Sequence, residues 1–68
     1  MRYGEKLSTE IRREQIMEAV FQLAAERGVK GLTTAAIARK VGMSEANLYR
    51  HFRNKEDIIQ AAVEKVGE

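Results

Sequence analysis

Apolar residues recur along this chain at three- and four-residue steps, and turn signals interrupt the recurrence three times. From Ile16 the pattern runs through Ala19, Val20, Leu23 and Ala24, with Met17 and Phe21 widening the stripe. That spacing lines one face of a helix. It predicts a first helix from Ser8 or Thr9 to Arg27, closed by Gly28 as a left-handed C-cap. Val29-Lys30-Gly31 completes the turn and Leu32 tucks into the core. Thr33 is placed to cap a second helix, Thr34–Val41, which buries Ile37, Ala38 and Val41. Gly42 ends it and lets the chain reverse, with Met43 plugging the turn. Ser44 caps a third helix running to Phe52, whose Leu48 and Phe52 lie four apart and point inward. Asn54 caps a fourth, with Asp57 at the position of a reciprocal capping box. Ile58, Ile59, Ala62, Val63 and Val66 give that helix a broad apolar face, and packing on the other three uses only its front. Residues 1–7 precede the pattern and read as a flexible arm, and the last few residues are expected to fray.

Composition narrows the class. Sixty-eight residues allow one domain, residues 1–68, and a chain this short buries only about 60% of its unfolded surface. The absence of proline and the low aromatic content favour an all-α fold. With no cysteine there is no disulfide and no thiolate for zinc, and with one histidine no metal site is expected. No cofactor is expected either, because Gly28 and Gly31 are helix-turn glycines and not a phosphate-cradling loop. No apolar run approaches the roughly 18 residues of a membrane span. The first residues lack the apolar stretch of an export signal, so a cytoplasmic location and no membrane partner are expected. Ser44, His51 and Asp57 could be written as a catalytic set, but two sit at capped helix starts and one on an outer face, with no pocket implied. The chain is not expected to be an enzyme.

Charge is sorted along the chain. Residues 27–55 carry seven Lys and Arg against Glu45 alone, a net +6, while residues 14–26 and 56–68 carry −3 each. Such a middle attracts a polyanion to one surface, although the same pattern also fits a solvated helix surface. Here it coincides with two short helices joined by a tight glycine turn, a layout suited to placing a helix end in the major groove of DNA. The capped start of the third helix offers partial positive charge to a phosphate. Lys55 follows an N-cap, where a cation opposes the helix dipole; either a bound phosphate explains it, or neighbouring Glu56 and solvent screening relieve the cost. Tyr49 either lids the core or reaches a phosphate with its hydroxyl. The basic surroundings of His51 favour a phosphate contact. Asn47 offers a donor and an acceptor together, which suits adenine. Ala46 could touch a thymine methyl, and Glu45 could accept from a cytosine amino group if it does not simply serve the helix dipole.

Several segments together resemble the TetR family of transcriptional regulators over about residues 10–63. They are Ala24-Ala25-Glu26-Arg27-Gly28, Leu32-Thr33-Thr34, Ile37-Ala38, Val41-Gly42-Met43-Ser44, Leu48-Tyr49-Arg50-His51-Phe52 and Asn54-Lys55-Glu56-Asp57-Ile58. The resemblance implies a three-helix helix-turn-helix DNA-binding bundle followed by the start of a fourth, linking helix. It implies double-stranded operator DNA as partner, on the nucleoid, and a regulator that is a ligand-responsive repressor. Phosphate contacts carry over to Thr34, Ser44, Tyr49, Arg50, His51 and Lys55, with Arg12 and Arg13 placed to add more. Base contacts carry over to Glu45, Ala46 and Asn47, and the helix-two position near them holds Ala35, which cannot read a base by hydrogen bonding. About two-thirds of a typical member's length is lacking. The ligand-binding and dimerisation domain is therefore expected to be absent, the inducer to act only through it, and this fragment to be monomeric or weakly associating where the full-length protein is a homodimer. The competing reading is a helical protein-interaction module that uses the apolar face of the fourth helix.

Overall fold

The computed structural model describes residues 2–67, and the side chains of residues 8–67. The elements are α1 (Arg2–Arg27), a 3-10 turn (Val29–Gly31), α2 (Thr34–Val41), α3 (Glu45–His51) and α4 (Lys55–Val66), with no strand among the described residues. α1 starts six residues ahead of the expected Ser8. Gly4 is the one residue of poor helix propensity in that stretch, and Glu5, Lys6 and Leu7 are strong helix formers, so a backbone helix propagates through it. The flexible arm, so far as it concerns Met1 and the side chains of residues 2–7, lies outside the described residues.

Each short helix is opened by the side chain expected of it. Thr33 Oγ1 accepts from the Ala36 N–H at 3.0 Å, Ser44 Oγ from the Asn47 N–H at 3.1 Å, and Asn54 Oδ1 from the Asp57 N–H at 2.8 Å. Each such cap stabilises its helix by about 1 kcal/mol. The reciprocal half of the box on α4 differs from expectation, because Asp57 Oδ2 accepts from the N–H of Arg53 at 3.0 Å, one residue before the cap. The two helix stops also differ from each other. Gly42 is left-handed at φ 90°, ψ 36°, and the Ala38 carbonyl accepts from both Gly42 and Met43. Gly28 has a positive φ of 78° but an extended ψ of 167°, a region open essentially to glycine alone, so it is not the left-handed cap expected.

The core forms where the four helices converge. Ile16, Val20 and Leu23 of α1 meet Leu32, Ile37 and Ala38, then Leu48 and Phe52, then Ile58 and Ala62. Ile16 and Leu48 are both fully buried, so the middle of α3 is locked against α1 and α2 from behind. Val41 is half-buried where full burial was expected, since it sits in the last turn of α2 beside the exposed Gly42. Phe21 and, more strongly, Val63 and Val66 stay open to solvent, with Val66 at 73% exposure. With Val29 and Ile59 they line a shallow apolar groove between α1 and α4. Two lysines tie the peripheral helices back to α1: Lys65 Nζ lies 3.1 Å from Glu14 and Lys40 Nζ 3.9 Å from Glu26.

Candidate nucleic-acid interface

Burial of Leu48 and Phe52 fixes which way α3 faces. With those two inward, Glu45, Ala46, Asn47, Tyr49 and Arg50 are exposed, and His51 is half-buried at the edge. All three residues expected to read bases lie in the first turn of α3 and reach solvent. Ser44 stands just ahead of them. Its Oγ accepts from a backbone N–H, so its own hydroxyl proton is not consumed by the cap.

Thr34, half-buried in the first turn of α2, comes against the outward side of α3. Its hydroxyl donates to Glu45 Oε2 at 2.8 Å and accepts from the Tyr49 hydroxyl at 3.2 Å. Two expected phosphate ligands and one expected base reader are thus joined in one chain of hydrogen bonds. Lys55 is the first residue of α4, half-buried, immediately after the Asn54 cap and before Glu56 and Asp57. Ala35 is exposed beside Thr34 and offers the helix-turn-helix a methyl group only.

Arg13 takes a position that the sequence reading did not foresee. Its Nη1 donates to the His51 carbonyl at 3.0 Å, and its guanidinium carbon lies 4.5 Å from the centre of the Phe52 ring. A carbonyl in the last turn of a helix lacks an intrahelical partner, and a cation there also meets the negative end of the helix dipole. Arg13 therefore closes α3 from behind. No local signal could have shown this, since the bond spans 38 residues of sequence. Only the placement of Arg13 three positions before Ile16, on the flank of the buried stripe, hints at it.

The same arginine acts on His51. Partial burial, first, and then the charges of Arg13, Arg12 and Arg50 hold the imidazole below its usual 6.5. Desolvation and like charge both disfavour the cationic ring. In the free head His51 is therefore mainly neutral at pH 7, and an anion brought beside it would shift it back towards the charged form.

A short helix with a buried back, a glycine turn ahead of it, and an outward surface of hydroxyl, amide and basic groups make a helix-turn-helix head. A family model described as bacterial regulatory proteins, tetR family, matches residues 16–62. Among curated proteins, nucleoid occlusion factor SlmA of Haemophilus influenzae (strain PittGG) is 40% identical over 63 residues, which is 91% of this chain and 29% of that protein. SlmA of Vibrio campbellii is 43% identical over 58 residues, 84% of this chain and 30% of the relative. SlmA of Vibrio vulnificus is 41% identical over 66 residues, 96% of this chain and 33% of the relative. The chain thus spans about three-tenths of the length of these relatives. It belongs to the tetR family of bacterial regulatory proteins, and carries that family's helix-turn-helix DNA-binding domain.

Proposed function

We propose that α3 enters the major groove of an operator and that Glu45, Ala46 and Asn47 meet base edges there. Thr34, Ser44, Tyr49, Arg50, His51 and Lys55 bind the flanking phosphates. Arg12 and Arg13 can add backbone contacts from α1, Arg13 with the guanidinium donors that its bond to the His51 carbonyl leaves over. The observation that carries this reading is the orientation of α3. Leu48 is fully buried while Glu45, Ala46 and Asn47 are exposed at one end of the helix, beside the hydroxyls of Ser44, Thr34 and Tyr49. Phosphate contacts set register and general affinity, and base contacts set sequence preference.

For a protein of its relatives' length, the proposal extends to a homodimer holding two such heads over two half-sites. A small-molecule inducer would act through the second domain and change the separation of the heads. Its place of work would be the cytoplasm, on the nucleoid; the SlmA relatives carry the name nucleoid occlusion factor. Repression is the regulatory sign we propose.

A second reading has its own observation. Val63 and Val66 are 61% and 73% exposed on α4 and line an apolar groove, as a protein-docking helix would. The two readings separate on salt. Lys55→Ala should weaken binding to every duplex sequence and lower the dependence of log K on log salt by about one. Unchanged affinity and slope would remove Lys55 from the interface, and binding of a protein partner insensitive to salt would favour the second reading.

A further inference from the structure

The outward surface of the head contains a competition for hydroxyl protons. Thr34 has one hydroxyl proton, and it goes to Glu45 Oε2 at 2.8 Å. Tyr49 has one, and it goes to Thr34 Oγ1 at 3.2 Å. Both protons assigned to phosphates are therefore already engaged inside the protein. A phosphate oxygen and an ionised carboxylate oxygen are acceptors only, so they compete for the same donor. A phosphate that captures the Thr34 hydroxyl must displace Glu45. Tyr49 can then either follow Thr34 or turn its own proton to the phosphate.

The displaced carboxylate has few places to go. It is repelled by the phosphate that replaced it, and it stands in the first turn of α3 next to Ala46 and Asn47. In the major groove the base-edge donors it can meet are the exocyclic amino groups of cytosine and adenine. Over such a group it regains a hydrogen bond. Over a guanine or thymine edge it faces further acceptors and is left unpaired beside a polyanion.

We propose that Glu45 couples phosphate capture to base reading: its carboxylate occupies the Thr34 hydroxyl in the free head and yields it to DNA only where a base amino group takes the carboxylate over. Glu45 then selects chiefly by penalising the wrong sequences. The proposal rests on the groove reading above and deepens it.

The test is a double-mutant cycle of Glu45→Gln and Thr34→Val, read as DNA affinity on two probes. One probe is a mixed-sequence duplex, and the other is the best duplex selected from a random pool by the wild-type chain. Glutamine keeps the shape of the side chain and loses the charge that repels phosphate. Glu45→Gln should tighten mixed-sequence binding about tenfold and shrink the ratio between the two probes by a similar factor. In the Thr34→Val background, where the hydroxyl that Glu45 holds is gone, the same change should gain less, by threefold or more. An equal gain in both backgrounds would mean plain charge repulsion and overturn the coupling. So would no gain at all. Lys55→Ala on the same probes keeps the two levels apart. If neither it nor Asn47→Ala changes binding to either probe, the groove reading itself fails; if Lys55→Ala weakens both probes while the cycle is additive, only the coupling fails. Melting of each variant without DNA confirms that the differences arise in the folded head.

Discussion

His51 has two opposite dependences on pH. Its pKa in the folded head is lowered, by burial first and by Arg13, Arg12 and Arg50 after that. Below 6.5 the unfolded chain therefore takes up the proton more readily than the folded one, and folding stability falls as pH drops from 6.5 through the folded value. A phosphate beside the ring raises that value again, so DNA binding should tighten as pH falls from the bound value to the free one, by at most about tenfold per pH unit. His51→Gln should flatten both curves, measured by melting and by duplex affinity between pH 7.5 and 5.5. Arg13→Met should move the ring titration back towards 6.5 without fully restoring it, since burial remains, and NMR of the imidazole reads this directly. The loss of the bond to the His51 carbonyl should also cost about 1 kcal/mol of stability. Asn47 belongs to the base side of the surface, so Asn47→Ala should change the motif returned by random-duplex selection more than it changes general affinity. The exposure of residues 45–47 was legible in the sequence because Leu48 and Phe52 define the opposite face. The Glu45–Thr34–Tyr49 chain was not, because it depends on how closely α2 approaches α3.

The helices of the reading head are eight and seven residues long. Isolated helices of that length are unstable in water, so caps and core contacts decide whether they exist. Those caps were readable because they are local: Thr33, Ser44 and Asn54 each act on an N–H three residues ahead. Degrees of burial were less readable. Periodicity names the face that turns inward, but not how far a neighbour covers it, and this is why Phe21 and Val41 end more open than expected. The turn between the helices can be tested without touching any contact. A Cβ on Gly42 would meet nothing within 4 Å, so Gly42→Ala strains only the backbone at φ 90°. It should cost about 1–2 kcal/mol by thermal or denaturant unfolding. Leu48→Ala opens a cavity at the fully buried back of α3 and should cost about 2–5 kcal/mol. In a domain this small that is a large share of the total.

At the scale of the molecule, charge and apolar surface are kept apart. The basic segment holds the helix-turn-helix, while Glu14 and Glu26 on α1 pair with Lys65 and Lys40. Such surface pairs add little stability, about 0–1 kcal/mol each. The apolar groove lies between α1 and α4. The hydroxyl ligands release no counterions, so the charges of Arg50, Lys55 and, at lower pH, His51 should set a salt slope of about −2 to −3 per head. The most direct measurement of the whole account is an amide NMR titration of this chain with duplex DNA at low salt. The largest shifts should fall on Thr34, residues 44–51 and Lys55, and should reverse together as salt is raised. Shifts centred on Phe21, Val29, Val63 and Val66, with residues 44–51 unmoved, would contradict it.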